Sequence, residues 1–101
     1  MLALLQIESS AWVASLRKAM QDPDPDVRQG AVAALGETGI PSVVPSIRER
    51  LMKDPDPRVR AEAAYRLRTI SDEGTRAALK RVAEADHNQT VRRWAQPDTT
   101  L

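Results

Sequence analysis

Three arginines occupy the same position in successive copies of a repeated pattern, and each follows an aspartate by six residues. The pairs are Asp22 with Arg28, Asp54 with Arg60, and Asp86 with Arg92. A regular row of guanidinium groups can bind the phosphates of a nucleic acid. Each arginine here is accompanied by a carboxylate that can neutralise it, which a phosphate-binding row does not require. We therefore favour ion pairs within the fold over a phosphate site.

The residue types that usually perform catalysis form no recognisable site. The chain contains no cysteine, which excludes a disulfide framework, a thiolate zinc site and a cysteine nucleophile. His87 is the single histidine, and with Asp86 as its nearest acid it makes neither a metal site nor a catalytic dyad. We expect a protein that is not an enzyme, with no cofactor and no small-molecule substrate.

One cluster of aspartates has the spacing of a calcium-binding loop. Asp22, Asp24 and Asp26 reproduce the first three ligand positions of an EF-hand. Val27 stands where that loop needs its turn glycine, and Ala33 stands where it needs its final glutamate. We interpret the aspartates as turn and capping residues and expect no metal.

These residues belong to a repeat with a period of 32. The segment DPDPDVRQGAVAALG at 22–36 returns as DPDPRVRAEAAYRLR at 54–68, and a shorter copy, DHNQTVRRWA, begins at residue 86. A fixed period of this length is typical of stacked helix pairs. Apolar spacing predicts outer helices at 11–21, 41–53 and 72–85 and inner helices at 25–36 and 57–70, with the front half of another inner helix near 91–95.

Short local signals set the ends of these helices. Asp24 and Asp56 each precede a proline, which favours an extended backbone and allows the carboxylate to cap the next helix. Pro25 and Pro57 then fall at the first helical position, where proline is tolerated. Gly39 is predicted to end the first inner helix in the left-handed conformation.

An outer helix with a proline, then Asp-x-Asp-x-x-Val-Arg, then Ala-Ala-x-Ala-Leu-Gly, resembles a HEAT repeat. The likeness is greatest to the short type found in phycobilisome lyases and bacterial scaffold proteins, and it covers nearly the whole chain. It departs at Arg66, where alanine is usual, and at Arg68, where glycine is usual. The resemblance implies an all-α, right-handed solenoid of about three helix pairs.

We assign one domain, residues 1–101, with repeat units at 8–39, 40–71 and 72–97. Residues 1–7 are predicted to be the end of an inner helix, and 97–101 a polar tail. In HEAT repeats the recurring aspartate and arginine form a ladder, so the resemblance implies that the arginine of one repeat bridges to the turn of its neighbour.

The resemblance also implies a concave surface lined by the inner helices. Carried onto this chain, its exposed positions concentrate residue types that are enriched at binding hot spots. The predicted partner-binding residues are Arg58, Glu62, Tyr65, Thr69, Arg93 and Trp94. The alternative is that Tyr65 and Trp94 only cover the end of the stack. Trp12, beside Val13 and Leu16, is predicted to lie in the core.

Both ends of the chain are predicted to expose apolar side chains. These are Leu2, Leu4, Leu5 and Ile7 at one end, and Val91 and Trp94 at the other. A second copy stacked end to end, or further repeats, would cover them. We favour self-association as a homodimer.

Charge and composition limit the classes of function and of binding partner that the sequence supports. Fifteen basic and fourteen acidic residues give a net charge of +1, a poor match to nucleic acid or to an anionic membrane. Together with the lack of cysteine, this leads us to expect a cytoplasmic protein. We predict a non-catalytic protein–protein interaction or scaffolding module. The first alternative is an accessory subunit or fragment of a HEAT-like lyase-type enzyme. A third possibility is binding to the backbone of a nucleic acid, which would be revealed by an affinity that falls as salt rises.

Overall fold

The computed structural model describes residues 2–97, which form six α-helices and one short 3-10 helix and contain no β-strand. The helices are α1 (Leu2–Ala19), α2 (Pro25–Thr38), α3 (Val44–Lys53), α4 (Pro57–Leu67), α5 (Glu73–Ala85) and α6 (Gln89–Ala95), and the 3-10 helix is Pro41–Val43. The prediction of an all-α fold is confirmed. Among residues 2–97, no helix combines the length and the apolar character that crossing a membrane needs.

The inner helices α2, α4 and α6 begin in the same way. Asp24, Asp56 and Asn88 lie 32 residues apart, and each side chain accepts a backbone N–H from the first turn of the helix that follows. The predicted caps at Asp24 and Asp56 are confirmed. Gly39 ends α2 with φ of 66°, the left-handed conformation that a side chain would oppose.

The core lies between the inner and outer helices. Residues at equivalent positions of successive repeats fill it with aliphatic side chains and alanine. Among the described residues, those with at most 2% of their surface exposed include Met20, Val32, Leu35, Ile47, Leu51, Val59, Leu67 and Val91. The inner helices pack against one another and against the outer helices, so each arginine of the repeat faces the following turn.

Two predicted helix boundaries differ from the structure. Residues 1–7 and 11–21 were assigned to separate helices, but α1 runs without a break from Leu2 to Ala19 because no proline or glycine interrupts it. The predicted outer helix at 41–53 begins as a 3-10 helix and becomes α-helical only at Val44. Pro45 is the cause, since it lacks an N–H and its ring opposes the carbonyl four residues earlier.

The burial of two residues corrects the sequence interpretation. Trp12 is 53% exposed, so its assignment to the core was wrong; α1 turns Val13 and Met20 inward instead. Val91 was expected to expose an apolar face, but it is fully buried within the stack. The expectation for Leu2, Leu4, Leu5 and Ile7 concerns side chains outside the described residues, and most of the predicted polar tail, 98–101, also lies outside them.

Candidate functional site

The inner helices line a groove with a volume of about 500 Å³. Its lining comes from α2, α4 and α6 together, and we call it the inner-helix groove. The lining residues are Gln29, Pro57, Arg58, Ala61, Glu62, Tyr65, Arg66, Asn88, Thr90 and Trp94. Four of the six predicted partner-binding residues are among them. Thr69 and Arg93 are exposed but do not line the groove.

Two aromatic rings meet at one side of this groove. Tyr65 on α4 and Trp94 on α6 pack edge to face, with ring centroids 5.1 Å apart and planes at 86°. Tyr65 is 40% exposed, whereas Trp94 is partly buried against the core. The pair therefore presents one ring to solvent and anchors the other in the fold.

The guanidinium of Arg68 contacts both rings. Its central carbon lies 4.9 Å from the Tyr65 ring centroid and 5.1 Å from that of Trp94, the geometry of a cation–π interaction. No described carboxylate lies within 4.0 Å of Arg68, and its side chain donates no hydrogen bond to a described group. Sequence reasoning noted Arg68 only as a departure from the HEAT pattern.

Arg66 is a second residue that the sequence prediction omitted. Its guanidinium lies 5.1 Å from the Tyr65 ring centroid, and its Nε donates to Glu62 Oε2 at 2.8 Å. The aliphatic part of the side chain crosses α2 at Gly36, where an added Cβ would come within 2.7 Å of Arg66 Cγ and Cδ. Gly36 therefore allows α2 and α4 to approach with the long Arg66 side chain between them.

Arg58 is committed to intramolecular ion pairs. Its Nη1 donates to Asp26 Oδ1 at 3.0 Å, which joins equivalent positions of two repeats, and its Nη2 donates to Asp56 Oδ2 at 3.1 Å. The hydrogen bond from the Arg58 side chain is the largest of the causes that lower the pKa of Asp56. A partner that uses Arg58 must share or displace these carboxylates.

The structure brings four of the six predicted ladder residues together in two ion pairs between neighbouring repeats. Arg28 holds Asp54 with two hydrogen bonds, from Nε at 2.9 Å and from Nη2 at 3.1 Å. Arg60 holds Asp86 in the same way, at 2.9 and 3.2 Å. Each arginine also donates to the backbone of the turn before its own helix, at the carbonyl oxygens of Asp22 and Asp54 respectively. Each of these arginines thus joins its own helix to the turn before that helix and to the equivalent turn of the next repeat.

The first rung is the more deeply buried. The Asp54 side chain is fully buried and accepts further hydrogen bonds from Arg50 Nη1 at 3.3 Å and from the Asp56 N–H at 2.9 Å. Arg28 is only 8% exposed, and its hydrogen bond with Asp54 raises the pKa of the guanidinium above its ordinary value. The arginine therefore remains charged despite its burial.

A second set of arginine contacts joins the outer helices. Arg17 on α1 donates to the carbonyl oxygen of Ser42 at 2.8 Å, and Arg48 on α3 donates to Asp72 Oδ1 at 3.2 Å. In both cases the acceptor lies where the next outer helix begins. This set has no repeating signal in the sequence, because its two acceptors differ in chemical type and the number of residues between arginine and acceptor differs by one.

Half of the twelve arginines, including both that line the groove, are paired with carboxylates of the described residues. Arg28, Arg48, Arg50, Arg58, Arg60 and Arg66 each have a carboxylate within 4.0 Å. A row of phosphates would have to compete with these carboxylates for the same N–H groups. The groove therefore offers aromatic contact and hydrogen bonding more readily than a phosphate-binding surface.

Comparison with known protein families gives a match that covers nearly the whole chain. A family model of HEAT repeats matches residues 2–96. None of the curated proteins matches the chain at a significant level. The match does not separate the short phycobilisome-lyase type from other HEAT repeats, so that finer resemblance stays a prediction, as do the handedness of the stack and a cytoplasmic location.

Proposed function

The chain belongs to the HEAT-repeat family, and we propose that it is a non-catalytic module that binds a segment of a protein partner in the inner-helix groove. HEAT repeats generally mediate protein–protein interaction or scaffolding. The observation that supports this proposal most directly is the contact of Tyr65 and Trp94, which line the groove, with Arg68, which lies beside it and lines a second groove at the C-terminal end of the stack. Aromatic and arginine side chains are the types that carry most of the binding energy at protein interfaces.

The geometry of this cluster favours recognition over mere covering of the end. Trp94 fixes the orientation of the Tyr65 ring, so little conformational freedom is lost when a partner packs against the exposed part of that ring. The Arg68 guanidinium contacts both rings and donates no hydrogen bond to a described group, so its N–H groups can bind a partner. A partner segment with an apolar side chain followed by a carboxylate or backbone carbonyl matches both features.

Site-specific photocrosslinking tests this proposal. A photoreactive residue placed at position 65 should capture a partner in the native host, and one placed at Met52 serves as the control. Met52 is similarly exposed, at 45%, but lies on the outer helix α3. Purified complexes should then lose at least about fivefold in affinity on Tyr65→Ala or Arg68→Ala, which corresponds to about 1 kcal/mol each.

Two results would contradict the proposal. One is a partner that crosslinks equally from positions 52 and 65 and binds the Tyr65→Ala protein with unchanged affinity. The other is binding to nucleic acid with affinity that falls steeply as salt rises, since that dependence marks phosphate contacts. Circular dichroism of each variant shows whether the helices are intact, which separates a lost contact from a lost fold.

A further inference from the structure

The inner ladder is open at both ends of the described stack. Arg92 donates to the carbonyl oxygen of Asp86 at 2.6 Å, but no described carboxylate lies within 4.0 Å of its guanidinium. At the other end, the Asp22 carboxylate accepts the N–H of Asp24 at 2.9 Å, and no described arginine lies within 4.0 Å of it. Within residues 2–97, therefore, a cation at one end and an anion at the other lack the ion-pair partner that the equivalent ladder residues have.

The N-terminal end of the stack also exposes apolar residues that later repeats bury. Val27 is 40% exposed, whereas Val59 and Val91, at the same position of the following repeats, are fully buried. Trp12 lies four residues before Leu16 on α1, as Val43 lies four residues before Ile47, yet Trp12 is 53% exposed and Val43 only 2%. In the later repeats, the preceding inner helix packs against the helix that carries Val59 or Val91.

The C-terminal end carries a groove instead of a protruding surface. Its volume is about 630 Å³, and we call it the C-terminal groove. Its apolar lining includes Ile70, Leu79, Ala83 and Ala95, from the turn between α4 and α5, from α5 and from α6. The groove lies beside the last residues of α6, which has only two turns, whereas α2 has nearly four.

We propose that this protein assembles head to tail with further copies of itself. Arg92 of one copy pairs with Asp22 of the next, repeating the rung that Arg28 makes with Asp54 and Arg60 makes with Asp86. In this arrangement α6 covers Val27, and the flank of α1 that carries Trp12 faces the C-terminal groove. A second copy is the occupant because it supplies both the missing charge and the repeat spacing that the ladder requires.

The proposed interface joins two different surfaces, so its formation does not occupy both surfaces of either copy. After two copies associate, one open Asp22 end and one open Arg92 end remain. The homodimer expected from the sequence is then the first member of a series that grows with protein concentration. This self-association uses the two ends of the stack, whereas the proposed partner binds in the inner-helix groove. Arg68 lies where the two surfaces adjoin, because it contacts Tyr65 and Trp94 and also lines the C-terminal groove.

Charge reversal at the two ladder ends tests the proposal. Sedimentation velocity and light scattering across a concentration series should show masses that rise above the 11.2 kDa monomer for the wild-type protein. Asp22→Arg and Arg92→Asp should each weaken association at least about tenfold, because each brings like charges together. An equimolar mixture of the two should recover association, since the native Arg92 of one can pair with the native Asp22 of the other.

Matched variants separate a lost interface from a lost fold. Asp22→Asn keeps an acceptor for the Asp24 N–H while removing the charge, and Val27→Ser changes a side chain that is already exposed. Both should weaken association with unchanged helicity. Arg81→Asp, an equal charge change on an exposed part of α5, should leave it unaltered.

Three results would overturn the proposal. They are a wild-type protein that stays monomeric at millimolar concentration, reversed variants that associate like the wild type, and a mixture of folded variants that stays monomeric. A wild-type monomer that assembles only after removal of residues 98–101 would show that the chain's own tail, rather than a second copy, covers the end.

Discussion

Replacing the three recurring aspartates one at a time should destabilise the fold by very different amounts. Asp54, Asp86 and Asp22 occupy the same position of the repeat, but their carboxylates accept four, three and one hydrogen bonds respectively from the described residues. The sequence context is similar in each case. The environment of the carboxylate, not its local sequence, therefore sets the expected cost.

The magnitudes follow from burial and from the partners left behind. Asp54→Ala leaves the Arg28 guanidinium buried without its acid, and loss of one partner of a buried pair costs about 3–5 kcal/mol. Asp86→Ala removes a pair whose side chains are slightly more exposed, and we expect about 2–3 kcal/mol. Asp22→Ala removes one hydrogen bond to a backbone N–H, which is worth about 1 kcal/mol or less.

Urea denaturation followed by far-ultraviolet circular dichroism measures these costs, provided the denaturant slope is the same in all variants. Arg60→Ala should lower the free energy of unfolding by about 1–3 kcal/mol, and Arg76→Ala, on an exposed part of α5, by less than about 0.5. The double variant of Arg28 and Asp54 should cost less than the sum of its single variants. Equal losses at the three aspartates, or a largest loss at Asp22, would refute the reasoning.

Two further predictions concern helix packing and pH. Gly36→Ala should destabilise the protein because the added Cβ would collide with the Arg66 side chain. Gly30→Ala, whose added Cβ would have no atom within 4 Å, should instead stabilise the protein by about 0.5–1 kcal/mol. Denaturation curves measure both changes in the free energy of unfolding, and equal effects would contradict the packing argument. Hydrogen bonds from Thr75 lower the pKa of Asp72 below 3.8. Burial raises the pKa of Asp86, but hydrogen bonds from Arg60 and from a backbone N–H lower that pKa overall. Both carboxylates bind protons more readily in the unfolded chain than in the folded one. The free energy of unfolding should therefore be steady above about pH 5 and fall as the pH drops through 3.8 and below. Acid denaturation curves measure this fall, and Asp72→Asn should reduce it.

The helices and their starting points could be predicted because they depend on neighbouring residues. Asp24 and Asp56 cap the helices that follow them through contacts only two residues long. The inner rungs follow from the period, since an arginine six residues after one aspartate lies 26 residues before the next. These features require no knowledge of how distant surfaces meet.

Features that depend on what covers a surface could not be predicted in this way. Trp12 has the apolar neighbours of a core residue, but it is 53% exposed, and its local sequence does not distinguish it from a buried residue. Arg66 and Arg68 were visible only as departures from the family pattern. Their roles require the positions of Gly36, Tyr65 and Trp94, which the fold brings together from three helices.

Tyr65→Ala and Asp22→Asn each alter a surface used by only one of the two proposals, so each variant is a control for the other. Tyr65→Ala alters the inner-helix groove, so it should weaken partner binding and leave the masses in a concentration series unchanged. Asp22→Asn alters only the end of the stack, so it should weaken self-association and leave the affinity for one partner segment unchanged at low protein concentration. If either substitution changed both properties, the groove and the stack ends would be energetically coupled. One route for such coupling is α6, because it carries both Trp94 and Arg92; another is α2, where Arg28 donates to the carbonyl oxygen of Asp22 and the next residue, Gln29, lines the groove.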